Sequence, residues 1–250
     1  MKQKPILFFA LVLVTLLVNT LKAQPIDRGA DLETQQVFVP KNTLILGGTV
    51  AYQQHDFTDY RFLVMEQLRG EGYRLNVSPH VAYFFKDNLA AGLRFAYKRT
   101  QVGLDAADIV LGDALEMNLS DYHLIQHTYY GAVTFRNYLP IGNNLRFGLF
   151  SEIQLLVGGG QGKVTSGTGQ TLEGTYQDIF EAGLQVVPGI CFFVTNSIAV
   201  EASIGIFGVD YKSVDQVTNQ VYEGNYRKMS ADFKVDLLSV HIGISAYLPL

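Results

Sequence analysis

From Leu238 to the end the chain alternates. Leu238, Val240, Ile242, Ile244, Ala246, Leu248 and Leu250 fall on one face of an extended segment, and Ser239, His241, Gly243, Ser245 and Tyr247 fall on the other. A period of two is the signature of a β-strand, here with one oily face and one small or polar face. A tilted strand needs about nine to eleven residues to cross a hydrocarbon layer, and this one is long enough. The pattern returns in Leu89, Ala91, Leu93, Phe95 and Tyr97 against Gly92, Arg94 and Lys98. It returns in Ile198, Val200, Ala202, Ile204 and Ile206 against Glu201, Ser203 and Gly205, and in Leu145, Phe147, Leu149, Ile153 and Leu155 against Arg146, Glu152 and Gln154. In that last segment Phe150 and Ser151 break the alternation.

Three further segments fit less regularly. Arg74, Asn76, Ser78 and His80 oppose Leu75, Val77, Val81 and Tyr83; Thr134 and Arg136 oppose Tyr129, Val133, Phe135 and Leu139; Glu181, Gly183 and Gln185 oppose Phe180, Ala182, Leu184, Val186, Ile190 and Phe192. Pro79 and Pro188 each remove a backbone donor and mark expected bulges or interruptions. A first strand near Thr43 to Tyr52 completes an expected count of eight, and an even count lets both chain ends lie on the same side.

The connections alternate in length. Lys86-Asp87-Asn88, Ile141-Gly142-Asn143-Asn144 and Val194-Thr195-Asn196-Ser197 are tight turns. Residues 55–70, 102–121, 158–173 and 211–231 are expected to be longer outward loops, the third made permissive by Gly158, Gly159, Gly160, Gly162, Gly167 and Gly169. Those glycines lack the lysine-serine spacing of a phosphate loop. Gly47-Gly48 is expected to be a thin strand position admitting close packing.

Before the strands, Lys2 and Lys4 precede an apolar run from Ile6 to Val18 and a small-residue stop at Ala23. That layout predicts a cleavable signal peptide over 1–23. Residues 24–42 do not alternate and hold Pro25 and Pro40, so they are expected to be a periplasmic lead-in, with the barrel domain over 43–250. The balance of 19 Lys and Arg against 23 Asp and Glu becomes more acidic once Lys2, Lys4 and Lys22 leave with the signal, and nucleic acid is not an expected partner. The single cysteine, Cys191, excludes an internal disulfide.

Alternation alone does not say which face points inward. A soluble lipocalin-like barrel or sandwich would turn the oily face in; a membrane barrel turns it out to lipid. The charge carried on the opposite face, the small residues beside it and the unequal connections favour an all-β, eight-stranded antiparallel transmembrane β-barrel in the cell outer membrane. Tyr83, Phe84, Phe85, Tyr138, Phe192, Phe193 and Tyr247 gather at the tight-turn rim and are expected to form an interfacial girdle.

Arg74, Arg94, Lys98, Arg136, Arg146, Glu152, Glu181, Glu201 and His241 are then the residues to weigh in the lumen. Eight strands leave an interior that side chains can fill, so a charge-paired plug is expected ahead of an open pore. Ser239, His241 and Ser245 share a strand that His80 or Glu201 could approach, but no shared depth follows from spacing, and no catalytic residue is expected. His123 and His127 carry a four-residue spacing without an acidic companion, and His55-Asp56 lies at a loop border; no metal or cofactor site is expected.

The phrases SPHVAYFFKDNLAAGLRFAY, TFRNYLPIGNNLRFGLFSEI and VPGICFFVTNSIAVEASIG, with the signal, resemble the Bacteroidetes group of small outer-membrane β-barrel proteins, similar to OmpA- and OmpW-like barrels and to PorT-like proteins. The resemblance covers about Thr43 to Leu250, departs from the usual terminal aromatic in Tyr247-Leu248-Pro249-Leu250, and includes no peptidoglycan-binding module of the OmpA kind. It implies a structural or surface-interaction role, or a narrow pore or transporter for small solutes or apolar ligands. The expected partners are outer-membrane lipids and a surface or periplasmic protein, with a barrel able to stand as a monomer.

Overall fold

A computed structural model describes residues 37–62, 65–110, 116–142, 145–168, 171–205, 207–233 and 240–250. The expected signal peptide and most of the lead-in lie outside the described residues, as does Ser239. The strands are β1 (Thr43–Phe62), β2 (Met65–Lys86), β3 (Leu89–Val110), β4 (Glu116–Pro140), β5 (Phe147–Ser166), β6 (Glu173–Phe193), β7 (Ile198–Ser203), β8 (Phe207–Thr218), β9 (Tyr222–Phe233) and β10 (His241–Pro249). All pair antiparallel with their neighbours, β5 with β6 and β10 with β1 closing the ring.

These ten strands occupy eight positions. β7 and β8 both lie on β6, and the register shifts by one between Gly189↔Ser203 and Val186↔Phe207. Pro188 sits at that step, its carbonyl accepting from Ile204 N at 3.1 Å. β10 and β9 continue the next position, against β7 and β8 respectively. Pro79 makes no such break: the β2 register against β3 is the same on either side of it. Thr43 pairs with Pro249, so both ends of the ladder meet at the tight-turn end.

The wall faces oil outward. Leu93, Leu155, Ile242 and Ile244 are among the most exposed side chains, while Thr49, Ser78, Thr134, Arg136, Glu152, Glu201 and Ser245 are buried. A soluble barrel has the opposite polarity, and this inversion makes the chain a transmembrane β-barrel. The outward row of β4 from Tyr129 to Leu139 runs about 33 Å at about 3.3 Å per residue. Tilted by about 40°, it covers about 25 Å, the height of the apolar band in such barrels.

The expected rim girdle splits in two. Tyr83, Phe85 and Phe192 point outward, whereas Phe84, Tyr138, Phe193 and Tyr247 are buried in the lumen. Neighbouring residues in a strand take opposite faces, so a pair such as Phe84-Phe85 cannot serve one side. A second outward aromatic belt lies higher on the wall, where Tyr52 stacks on Tyr73 at 6.1 Å between ring centres, Tyr97 lies tilted against Tyr129 at 5.1 Å, and Phe180 meets Tyr211 at 6.4 Å. Phe150 and Ser151 also follow the ladder without a bulge, Phe150 buried and Ser151 exposed.

Most of the four expected long loops are strand. β4 alone has 25 residues, more than twice what a bilayer crossing takes, and β1 through β6 and β8–β9 carry their ladders on toward short tips. Past the membrane both faces meet water, so the alternation fades while the backbone pairing continues. Gly158 and Gly160 belong to this ladder: a Cβ at Gly160 would strike the His127 carbonyl and lie 2.7 Å from Thr128 Cα. Gly160→Val is therefore expected to cost about 1–3 kcal/mol through overpacking, read as a lower urea midpoint in detergent.

Candidate functional site: a charged plug in the lumen

Inward positions on six strands converge on one network. Arg94 on β3 holds Glu152 on β5 through Nε and Nη2, at 3.1 and 3.2 Å, and gives Nη1 to Ser78 Oγ at 3.2 Å. Arg136 on β4 bridges two carboxylates, Glu152 at 2.6 Å from Nε and Glu201 on β7 at 2.8 Å from Nη1. The same Nη1 reaches Tyr138 OH at 2.9 Å, and the guanidinium lies 4.3 Å from the ring centre of Phe150. Tyr247 OH donates to Glu201 Oε1 at 2.8 Å and meets Tyr138 OH at 2.7 Å. Two cations and two anions, all nearly excluded from solvent, thus cancel across the barrel axis. Buried charges are tolerable under this condition, with each one paired and its remaining lone pairs hydrogen-bonded.

A second tier sits nearer the long hairpins. Lys98 Nζ lies 4.6 Å from the ring centre of Tyr130, whose hydroxyl donates to Glu181, and Lys212 on β8 pairs with Glu181 at 2.9 Å. Between the tiers is a cavity of about 90 Å³ lined in part by Asn76, Gln154, Gln185, Ser203 and His241, polar and roomy enough to hold water.

Below the charges the lumen is closed by an apolar cork. Phe38 and Val39, from the segment preceding β1, are fully buried among Phe84, Tyr138, Leu145, Phe150 and Phe193. Phe38 packs edge-on to Phe193 at 5.4 Å, and a side chain at Gly148 would collide with the Phe38 ring. Asn88, at φ 61° in the first tight turn, locks the segment: its Oδ1 accepts from Val39 N and its own N donates to Val39 O, both at 2.8 Å. Phe38→Ala is expected to lower stability by about 3–5 kcal/mol and to leave a planar bilayer non-conducting, because the ion pairs above still close the lumen.

Of the residues weighed from sequence, Arg94, Arg136, Glu152 and Glu201 meet in the lower tier, Lys98 and Glu181 in the upper, and His241 lines the cavity between them. Arg74 is exposed, and Arg146 turns to the rim, donating to the carbonyls of Phe193 and Val194 at 3.4 and 3.5 Å. Ser245 Oγ does approach His80 Nε2, at 3.3 Å, and Gly47 makes the room: a Cβ there would lie 3.0 Å from His80 Cε1. Among the described residues His80 Nδ1 has no hydrogen-bond partner and the oxygens of Glu201 are held by Arg136 and Tyr247, so none of these residues orients the pair as a nucleophile and base require. His123 and His127 lie on β4, where four residues span about 13 Å, too far for one metal ion. His55 and Asp56 pair with Gly72 and Glu71 inside β1–β2, not at a loop border.

No family model matches this chain, and no curated protein matches it in sequence. Among solved structures it is similar to the outer membrane protein OprG of Pseudomonas aeruginosa, at 12% identity and a TM-score of 0.44 over 86% of this chain and 100% of that one. A major outer membrane protein of Thermus thermophilus follows at 11% and 0.43, covering 82% and 99%. Neisserial surface protein A is similar at 11% and 0.30, covering 84% and 98%. At such scores the barrel assignment rests on this chain's own pairing and burial.

Proposed function

We propose that the protein is an outer-membrane barrel with a structural or surface-interaction role, inserted with its tight turns toward the periplasm and its hairpins outward. The observation that carries this reading is a lumen filled at successive levels, by Phe38 and Val39 and by the Arg136 network, beneath hairpins that run well beyond the wall. Short periplasmic turns and longer outer connections are the rule in such barrels. Specificity for a surface protein then belongs to the hairpins, a periplasmic protein would meet the tight-turn end, and the reading assigns no catalysis or cofactor. The full chain, expressed with its signal, should reach the outer-membrane fraction as a heat-modifiable band and give no steady conductance in a planar bilayer. A stable conducting level would replace this role with the narrow-pore alternative, and a soluble periplasmic product would remove the barrel from the membrane altogether.

A further inference from the structure

The outer wall of β3–β6 is not smooth. Along the β4–β5 ladder the outward pairs climb from Val133/Leu155 through Gly131/Val157 and Tyr129/Gly159 to His127/Gln161 and Ile125/Lys163. Two glycines on adjacent rows leave a trough where the neighbours carry large side chains. Its lower part is an apolar groove of about 830 Å³ between Leu93 and Phe95 on one flank and Leu155 and Val157 on the other, with Gly131 as its floor. A Cβ at Gly131 would meet nothing within 4 Å. Its upper part, past the Tyr97–Tyr129 belt, opens into a second groove of about 970 Å³ that contains Arg99, Lys163, Tyr176, Asp178 and Asp215.

The charges in the upper groove are divided. Arg99 and Lys163 stand on the β3–β5 side, and among the described residues no carboxylate comes within ion-pair distance of either. Among the described residues Arg99 Nε is buried without a hydrogen-bond partner, although Nη2 donates to Gln101 at 3.4 Å and the group lies 5.6 Å from the Tyr73 ring centre. Asp178 and Asp215 face each other across β6–β8 on the far side. Between the two sides Gln161 donates to Asp178 at 3.4 Å and accepts from Tyr176 OH at 2.8 Å.

We propose that this trough is a specific site for a phosphorylated, acylated sugar of the lipid A class, with an acyl chain over Gly131 and a phosphate at Arg99 and Lys163. The sugar hydroxyls then donate to Asp178 and Asp215, and the ring lies by Tyr176. Arginine and lysine with unused donors suit a phosphate. Two carboxylates at the other end suit hydroxyl donors and disfavour a headgroup that is only anionic. The site lies at the hairpin end of the apolar band, so the inference rests on the outward orientation proposed above.

The test uses the full-length mature protein in mild detergent, with native mass spectrometry against diphosphorylated lipid A, the same lipid dephosphorylated, and phosphatidylglycerol. Wild type should retain lipid A about tenfold better than either of the others, the scale of one charge-assisted contact. Arg99→Gln with Lys163→Gln should abolish the preference for the phosphorylated form, and Gly131→Leu should weaken lipid A by filling the trough. Asp178→Asn with Asp215→Asn should weaken lipid A and leave phosphatidylglycerol unchanged. Equal retention of the three probes by wild type, or tighter lipid A binding after the aspartate changes, would overturn the site. Heat-modifiable migration separates the two readings: if wild type lacks it both fall, and if wild type keeps it without the lipid preference only the trough falls.

Discussion

Arg136→Met is expected to cost the barrel about 3–5 kcal/mol, the range for removing one partner of a buried ion network. The methionine would fill much the same space beside Phe150, so the loss is electrostatic: Glu152 and Glu201 would keep their negative charges with one guanidinium, Arg94, left to answer Glu152 alone. Glu201 would retain the Tyr247 hydroxyl at 2.8 Å but no cation. The measurement is the urea midpoint of refolded protein in detergent, followed by the loss of the heat-modifiable band. Arg136→Met with Glu201→Gln restores neutrality, because Arg94 and Glu152 remain a complete pair, and this double variant should recover at least half of the loss. A double variant no better than the single one would mean that the plug is held by shape and not by charge balance.

Much of this network was legible from parity. Arg94, Arg136, Glu152 and Glu201 each sit opposite an apolar row, and strand geometry alone sends them to a common face. Their depth was not legible, because it depends on register between strands distant in the chain: Arg136 and Glu152 are a ladder pair, whereas Glu201 arrives from across the ring. Tyr138 and Tyr247 share the parity of Arg136 and Ser245 and could have been placed inside on that ground. Grouping aromatic residues by their nearness to a turn overrode it. Lys212 was hidden differently, in a segment whose polar character on both faces reads as loop although it is paired residue for residue with β6. Phe38 carried no periodic signal at all, since a cork needs only to fit the mouth it closes.

The sharpest separation between membrane and soluble readings comes from three positions of nearly equal exposure. Leu155 and Ile244 on the wall are 62% and 63% exposed, and Val221 at the tip between β8 and β9 is 72% exposed. Accessible area alone predicts that lysine is harmless at all three, as it is at most surface sites. If lipid covers the wall, Leu155→Lys and Ile244→Lys should each cost about 2–4 kcal/mol when the protein folds into lipid vesicles, while Val221→Lys stays within about 0.5 kcal/mol of wild type. The quantity to read is the shift in urea midpoint on folding into vesicles. Three equally silent substitutions would place the whole surface in water and leave the outward apolar rows without a physical reason. A penalty confined to the wall identifies the solvent each residue faces, which neither the alternation of the sequence nor the area exposed in an isolated chain can do, because both treat lipid and water alike.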